Sequence, residues 1–479
     1  MLDPHNPKAG GLAVALGDMM HGREGLWLGW SGEEVPEGSR KITTAPFGRT
    51  TLVKVDFTEK ERKHYYTGFS NSVLWPVFHE EIQFADLANP EYFPAYEHVN
   101  KLLAAELVRH LQDDDMLWIH DYHLIPLAKE LRALGCSQRI GFFNHIPLPP
   151  PDVVRTIPRH RQLMESLFSY DLIGMQTARN VKNLHRYIEE EDEGIGQTGE
   201  GTLIAGFGKA SSATHFPIGI DVASFRALVP SERSEAFLNL MREEAGRQRI
   251  LMVGVDRLDY SKGVPERLAA LRQFLRDHLE MHGRVTFVQV SAPSRPKVAA
   301  YVELSLKTKH LVDEINREFE TETWKPVIYI NEPVERAALP EAFRLSRVGV
   351  VTPIADGMNL VAKEYVAAQS PEDPGVLVLS TAAGAAAQMQ ASLLVNVQNR
   401  DEIVAAYESA LDMPLQERQE RHAHLMSNVQ TEDFGWWQRS YLAALDEVPR
   451  CSEVPVAISP LTHQTPASAS HDHFQTIPR

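Results

Sequence analysis

The sequence has few cysteines and no long hydrophobic run, and these absences exclude several classes of protein. Only Cys136 and Cys451 occur among the 479 residues, one beside a predicted helix end and one in a proline-rich tail. Two isolated cysteines support neither a disulfide framework nor a thiolate metal site. No apolar run reaches the roughly 18 residues of a membrane span, and residues 1–8 lack the apolar core of a secretory signal. We therefore expect a cytoplasmic protein without a membrane partner.

The chain also has fewer positively charged than negatively charged residues. Lys and Arg together number 48 against 64 Asp and Glu, which gives a formal net charge of −16. A chain this acidic is not expected to bind nucleic acid, and any attraction for phosphate must come from local cations. The length and the hydrophobic content of 43% are sufficient for two cores, because single cores stop growing near ~250–300 residues.

Short β-branched runs alternate with longer amphipathic segments, a pattern typical of parallel βαβ units. Residues 116–120 and 139–143 are predicted strands, and 124–134 is a predicted helix between them. The stretch 189–208 is acidic and then glycine-rich, which indicates an exposed loop or hairpin. The sequence therefore predicts an α/β fold with parallel sheets.

The most informative functional signal lies where two predicted strands end. Arg257 and Lys262 follow one apolar run, on a glycine-containing loop that leads into a helix. Asp356 follows the second run, at 348–353, and Glu364 lies in the helix after it. Two cations and two acids at strand ends are typical of a nucleotide-sugar pocket in an open α/β sheet.

An isolated Arg257 motif has a simpler interpretation. Arg257 would then pair with Asp259 or Glu266 at the surface, as most such arginines do. The second loop, with the same strand, glycine turn and helix start, favours the pocket instead.

Two clusters resemble metal sites, but neither predicts one. Asp113–Asp115 precedes a strand, whereas ligands bind after strands in open sheets, so a solvated turn is the better interpretation. His120, Asp121 and His123 are closely spaced, but neighbouring side chains on a strand point to opposite faces. We predict no metal site and expect a chelator to leave activity unchanged.

His145 follows the predicted strand 139–143 and precedes a proline-rich loop. Taken alone, it fits a buried, hydrogen-bonded core histidine as well as a substrate ligand. Asp121 follows the neighbouring predicted strand, so we expect both side chains in one pocket.

Five long segments resemble a single family, in that family's order. They are YTGFSNSVLWP at 66–76, WIHDYHLIPLAKELR at 118–132, IGFFNHIPLPPPD at 140–152, DRLDYSKGVPER at 256–267 and DGMNLVAKEYVAAQ at 356–369. From Gly10 to about Leu445 the chain resembles the trehalose-6-phosphate synthases, which are retaining glycosyltransferases. The resemblance implies two Rossmann-like domains that face each other across a cleft, the GT-B type of fold.

The resemblance also implies an activity. Glucose would pass from a nucleotide-glucose, with UDP-glucose the expected donor, to glucose 6-phosphate with retention, giving α,α-trehalose 6-phosphate. The family's mechanism is front-face substitution, in which the leaving phosphate helps to deprotonate the attacking hydroxyl, and it implies no cofactor. Two alternatives remain open: a related synthase with another phosphorylated acceptor such as glycerol 3-phosphate, and a catalytically inactive regulatory subunit. We expect a homo-oligomer. We also expect a separate phosphatase, because no Asp-x-Asp-x-Thr phosphatase signature occurs near the C-terminus.

For the donor, the resemblance implies that Arg257 and Lys262 hold the diphosphate and stabilise the departing nucleotide. Glu364 matches the acid that binds the ribose hydroxyls, and Gly11 matches a glycine loop that approaches the donor. The transferred glucose would be held by Asp356, Gly357, Met358, Asn359 and Leu360.

For the acceptor, Tyr66, Trp75 and Arg295 match the group that binds the phosphate, since all three carry hydrogen-bond donors. Asp121 matches a residue that contacts the acceptor sugar, and His145 matches one that hydrogen-bonds the transferred glucose. The candidate catalytic residues are thus Asp121, His145, Arg257 and Lys262. Tyr66 and Trp75 are equally typical of packing residues.

The sequence departs from the family in two places. Members usually begin with a strand carrying a Ser-Asn-Arg motif, whose arginine binds the acceptor phosphate, and this motif is absent before Gly10. We expect a truncated sequence with exposed strand edges in the first sheet and weak acceptor binding. The second departure is Gln388, in a segment where the family usually has Asn-Glu-Leu. Gln388 retains hydrogen bonding without charge, which affects loop placement more than chemistry.

The order of the predicted strands and helices suggests where the domains divide. We place the boundary near Asp221, between an acceptor domain at 1–221 and a nucleotide-sugar domain at 222–430. Residues 431–447 are expected to form a helix that crosses back to the first domain. Residues 448–479 are expected to be a disordered tail, because they are rich in Pro, Ser, Thr and His.

Overall fold

The computed structural model of the chain describes residues 16–17, 20, 24–192, 202–295 and 298–450. The predicted glycine loop at Gly11 and the predicted tail beyond residue 450 lie outside these residues. Fourteen strands in the described part of the chain form three sheets. The strands are β1 (Gly25–Val35), β2 (Ile42–Phe47), β3 (Thr50–Thr58), β4 (Met116–His120), β5 (Arg139–Phe143), β6 (Leu172–Met175), β7 (Leu203–Gly206), β8 (Lys209–His215), β9 (Ile250–Leu258), β10 (Val285–Pro293), β11 (Val327–Ile330), β12 (Val348–Val351), β13 (Val376–Ser380) and β14 (Leu393–Val395).

Helices connect most of these strands. A π-helix spans Arg62–Leu74, and the helix predicted over 124–134 spans Leu127–Ala133. The α-helices are Glu59–Glu61, Trp75–Phe78, Tyr92–Leu107, Leu127–Ala133, Pro151–Val154, His160–Ser166, Ala178–Glu191, Val222–Arg226, Glu235–Gly246, Val264–Asp277, Ala299–Phe319, Leu339–Leu345, Leu360–Ala368, Arg400–Asp412, Leu415–Thr431 and Phe434–Glu447. None of the helices within the described ranges is long and apolar enough to cross a bilayer.

The six-stranded sheet has the strand order of a doubly wound Rossmann fold. Its order is β11-β10-β9-β12-β13-β14, which is 3-2-1-4-5-6 when the strands are numbered along the chain. All neighbouring pairs are parallel, and β12 and β13 are buried at every residue, as expected when both faces are covered. The order reverses between β9 and β12, so a ligand crevice is expected beyond their carboxyl ends.

The five-stranded sheet has the order β4-β5-β6-β8-β7, with parallel pairing from β4 to β8. Strand β7 pairs antiparallel with β8 as a hairpin. The prediction of a loop or hairpin over 189–208 was wrong for its first residues, which continue the helix Ala178–Glu191 because Leu184 and Ile188 anchor that helix in the core. Strands β1 to β3 form a separate three-stranded sheet. The predicted α/β fold class is confirmed.

The last helix, Phe434–Glu447, follows the helices of the six-stranded sheet but packs on the five-stranded one. The hydroxyl of Tyr441 donates to the carbonyl oxygen of Phe142 at 3.0 Å, and its ring stacks on Trp118 at 4.5 Å. A β-carbon on Gly141 would lie 2.3 Å from that hydroxyl, so only glycine fits at this position of β5. This helix therefore ties the two sheets together. The domain boundary near Asp221 stays a prediction.

Candidate active site

The two predicted cations lie at the carboxyl end of β9. Arg257 is exposed, one residue before the strand ends, and Lys262 ends a short 3-10 turn that follows. The next residue, Gly263, has a φ of 63° and closely approaches Thr352, since a β-carbon there would lie 2.2 Å from the Thr352 carbonyl oxygen. Lys262 forms an ion pair with Asp356, which follows β12. The loops after β9 and β12 thus meet at the switch point of the sheet.

A buried ion pair beneath these loops holds them in place. Arg267 is fully buried and donates to the Asp256 carboxylate and to the Lys262 carbonyl oxygen, both at 2.6 Å. It also donates to the Thr352 hydroxyl at 3.1 Å. Burial raises the pKa of Asp256, and the neighbouring guanidinium opposes that effect. Sequence reasoning missed this role of Arg267, because the pattern gives no sign of which charges are buried.

The loop after β12 has its own internal contacts. Asn359 adopts a left-handed φ of 70° at the start of the helix Leu360–Ala368, and its amide donates to the Asp356 carboxylate at 3.0 Å. The carbonyl oxygen of Met358 accepts from the backbone N–H of Ala385 at 2.8 Å. Asp356 is therefore held by Lys262 and Asn359 together.

Glu364 lies within the same helix and is almost fully buried. Two nitrogens of Arg336, Nε and Nη2, donate to its Oε1 at 3.0 and 2.8 Å. Burial raises the pKa of Glu364, and Arg336 acts against that rise. Arg336 was not predicted from the sequence, since it lies on a loop 28 residues before its partner.

Two predicted residues come from the five-stranded sheet. Asp121 follows β4 with a left-handed φ of 76°, and its carboxylate faces the backbone N–H groups of Tyr122 and His145 at 3.2 and 3.4 Å. Burial raises the pKa of Asp121 to about 6, although those N–H groups and Arg257 act in the opposite direction. Asp121 and His145 therefore share one pocket, as the adjacent strands predict.

A second histidine lies beside His145. Nδ1 of His120 and Nε2 of His145 are 3.1 Å apart, and the two rings stack at 5.3 Å. Burial lowers the pKa of His120 to about 3, and burial together with His120 lowers that of His145 well below its ordinary value. Both rings are neutral at pH 7, so one donates to the other and Nδ1 of His145 stays available. The closely spaced His120 thus supports His145 instead of a metal.

Two of the three residues predicted to bind the acceptor phosphate, Trp75 and Arg295, lie in contact with each other. The guanidinium of Arg295 lies 4.4 Å over the ring of Trp75, a cation–π contact. Arg295 donates to Asn71 Oδ1 at 2.7 Å and to Asp259 Oδ2 at 3.4 Å. Arg257 lies 5.6 Å over the same indole ring. Trp75 therefore lies next to both Arg257 and Arg295.

Asp259 is the common hydrogen-bond acceptor in this group. It accepts from the hydroxyl of Tyr301 at 2.7 Å and from the indole N–H of Trp75 at 3.4 Å. Burial acts to raise its pKa, but Arg295 and Arg257 outweigh that effect and lower the pKa of Asp259 to about 2. Asp259, which the isolated motif suggests as a surface partner of Arg257, is instead a buried carboxylate that accepts hydrogen bonds from several donors.

Tyr66 packs against aromatic neighbours of this group. It stacks on His123 at 5.5 Å, and His123 contacts Tyr122 at 4.0 Å. The Tyr122 hydroxyl donates to Asn71 Oδ1 at 3.0 Å, the oxygen that also accepts from Arg295. Tyr66 is thus connected to the Arg295 cluster through these rings and through Asn71, whose amide donates to the Tyr66 carbonyl oxygen at 2.6 Å. The bridging Asn71 was not singled out from the sequence.

The remaining motifs lie outside this site. Asp113–Asp115 is an exposed turn. No group of His, Cys, Asp and Glu side chains in the described ranges has an arrangement suited to a metal ion. Gln388 donates its side-chain amide to Glu432 and its backbone N–H to the carbonyl oxygen of Ala385, the residue that contacts Met358.

Comparison with known proteins identifies the family. The model for glycosyltransferase family 20 matches residues 4–447. This chain belongs to glycosyltransferase family 20. Trehalose-6-phosphate synthase of Enterobacter sp. (strain 638) is 39% identical over 452 residues, which cover 94% of each chain. The protein of the same name from Escherichia coli (strain K12) is 39% identical over 459 residues, again with 94% of each covered.

Solved structures of the family resemble this chain throughout. A UDP-forming alpha,alpha-trehalose-phosphate synthase from Burkholderia xenovorans, in complex with glucose-6-phosphate, superposes with a TM-score of 0.87 at 39% identity, covering 92% of this chain and 98% of that one. An Escherichia coli structure bound with UDP-2-fluoro glucose gives 0.87 at 38% identity, covering 92% and 97%. The predicted GT-B arrangement of two Rossmann-like sheets is confirmed.

Proposed function

We propose that the protein transfers glucose from UDP-glucose to glucose 6-phosphate with retention, forming α,α-trehalose 6-phosphate and UDP. One observation carries the proposal. The loops after β9 and β12 bring Arg257, Lys262, Asp356 and Glu364 to the switch point of the six-stranded sheet. The relatives that share this fold are named for the same activity.

The donor side follows from charge. Breaking the bond between glucose and phosphate leaves negative charge on the diphosphate, and preorganised cations stabilise that charge. Arg257 is exposed at its strand end, and Lys262 is held by Asp356 and by the buried Arg267 beneath its loop. We assign the diphosphate to these two cations, and the transferred glucose to Asp356 and the backbone of 357–360.

The acceptor side follows from the five-stranded sheet and its neighbours. Arg295 supplies donors suited to phosphate oxygens, with Trp75 packed against its guanidinium, and Asp121 supplies an acceptor for a sugar hydroxyl. His145 is neutral and lies beside Asp121, so it can exchange hydrogen bonds with the glucose that is transferred. The acceptor hydroxyl would then attack on the face from which UDP departs, and the leaving phosphate would take its proton.

An activity panel tests this proposal. UDP-, ADP- and GDP-glucose are each combined with glucose 6-phosphate and with glycerol 3-phosphate, and the product is identified by proton and phosphorus NMR. We expect the highest kcat/KM for UDP-glucose with glucose 6-phosphate, and an α,α linkage in the product. Preference for glycerol 3-phosphate would identify the related synthase, and absence of transfer with every pair would identify a regulatory protein.

Three further expectations belong to this proposal. A cytoplasmic location is tested by cell fractionation, and a homo-oligomer by light scattering after size exclusion. The third is a separate phosphatase that removes the phosphate from the product. Prolonged incubation of the pure protein with its product should therefore release no inorganic phosphate.

A further inference from the structure

Arg336 and Glu364 form a fixed pair at the edge of the donor site. Arg336 begins the 3-10 turn Arg336–Ala338, in the loop that follows β11. Its guanidinium lies 5.3 Å over the fully buried ring of Phe225. Its Nε and Nη2 both donate to Oε1 of Glu364, at 3.0 and 2.8 Å. The arginine is therefore held on one side by the aromatic ring and on the other by the carboxylate.

The pair leaves one carboxylate oxygen unused. Both nitrogens of Arg336 bind the same oxygen, and Oε2 of Glu364 has no hydrogen-bond partner among the residues that the structure describes. A carboxylate oxygen can accept from two hydroxyl groups at once. This oxygen is therefore free to accept from the ribose hydroxyls that the family resemblance assigns to Glu364.

Arg336 also controls the charge of this acceptor. Glu364 is only 6% exposed, and its burial raises the pKa. The adjacent Lys363 does not oppose that rise, because its ammonium donates to the carbonyl oxygen of Ile218 at 2.9 Å. Arg336 is the one charged group in the described part of the chain that lowers the pKa of Glu364.

We propose that Arg336 is a positioning residue that orients Glu364 toward the vicinal 2′ and 3′ hydroxyls of a ribonucleoside diphosphate. The pair makes the donor site select ribonucleotides over 2′-deoxyribonucleotides. A deoxy nucleotide leaves the buried carboxylate with one donor fewer, and an unmet hydrogen bond at a buried charge is costly. This inference rests on the proposed function, since it assumes that a nucleoside diphosphate occupies the site.

The test measures binding of UDP and dUDP by isothermal titration calorimetry, so it does not depend on turnover. We expect the wild-type protein to bind UDP about tenfold or more tightly than dUDP. Arg336→Met should weaken UDP binding at least tenfold and bring the UDP to dUDP ratio close to one. Arg344→Met is the matched control, because Arg344 donates to the carbonyl oxygen of Ala368 at the end of the same helix.

A pH series separates positioning from general damage. Without Arg336 the pKa of Glu364 should rise further, so UDP binding by Arg336→Met should weaken as the pH is lowered, over a range where wild-type binding is constant. Arg336→Lys keeps the charge but not the two-nitrogen contact. It should therefore lose part of the discrimination while its binding stays independent of pH, and it provides a second variant if Arg336→Met fails to fold.

The outcomes are distinct. The inference is overturned if wild-type protein binds UDP and dUDP equally, or if Arg336→Met retains the wild-type ratio. It is also overturned if Arg344→Met loses the ratio to the same extent as Arg336→Met. If the wild-type protein binds neither nucleotide, the proposed function fails along with the inference.

Discussion

A β-carbon on Gly357 would lie 2.0 Å from the carbonyl oxygen of His145. The loop after β12 in the six-stranded sheet therefore touches the loop after β5 in the five-stranded sheet, backbone against backbone. Gly384 also approaches Gly357 closely, since a β-carbon on Gly384 would lie 1.8 Å from the Gly357 carbonyl oxygen. The candidate site residues of the two sheets thus meet at a contact that tolerates no side chain.

Gly357→Ala should consequently disturb both halves of the site. Separations below about 3 Å do not occur for real β-carbons, so the two loops must move apart. We expect activity to fall at least a hundredfold, because small misplacements of reacting groups are costly, and the melting temperature to fall by several degrees. Gly246→Ala is the control, since a β-carbon on Gly246 would meet nothing within 4 Å. Equal activity of the two variants would contradict the contact.

Arg295→Ala should raise the KM for glucose 6-phosphate by about tenfold to a hundredfold. A hydrogen bond to a charged group contributes about 1.5–3 kcal/mol, and each 1.4 kcal/mol is about tenfold. The KM for the donor should change little, because the proposal assigns Arg295 to the acceptor phosphate and not to the donor. Steady-state kinetics check this, with Arg276→Ala as a surface arginine control. A change confined to the donor KM would contradict the assignment.

Asp121 predicts a specific pH dependence. Burial raises its pKa to about 6, and only the ionised carboxylate accepts hydrogen bonds at both oxygens. The kcat at saturating glucose 6-phosphate, which does not report the titration of the free substrate's own phosphate, should therefore decrease as the pH falls through about 6. The profile of Asp121→Asn should be lower and should lack this acidic limb. Finding the same limb in that variant would assign it to another group.

His120 and His145 should stay neutral in the folded protein at the pH values where histidines ordinarily protonate. Burial lowers the pKa of His120 to about 3 and holds that of His145 far below its usual range. In NMR titrations neither imidazole should protonate between about pH 5 and 8, whereas both should titrate near about 6.5 in urea. Since the unfolded chain takes up protons that the folded chain excludes, the free energy of unfolding should decrease below about pH 6.5. A midpoint near about 6.5 for either ring in the folded protein is the contrary result.

The positions of the main site residues could be predicted from the sequence because strand ends leave a local signature. Arg257 lies at the end of one buried apolar run and Asp356 follows another, and parallel strands direct such ends to one edge. Asp121 and His145 follow from the same rule on neighbouring strands.

The supporting residues could not be predicted, because their partners are far away in the sequence. Asn71 meets Arg295 across 224 positions. Arg336 reaches Glu364 from a loop without periodicity. The backbone of Asp121 could not be predicted either, because its φ of 76° and ψ of 159° lie outside the left-handed helical region that aspartate commonly adopts.

The two cations of the donor loop test the central claim most directly. The measurement is kcat at saturating UDP-glucose and glucose 6-phosphate for Arg257→Ala and Lys262→Ala, with the exposed Lys325→Ala as control. Each site variant should lose about two to three orders of magnitude in kcat, because each removes a donor that stabilises charge on the departing diphosphate. Lys325→Ala should retain wild-type turnover. Wild-type turnover in both Arg257→Ala and Lys262→Ala would contradict the account.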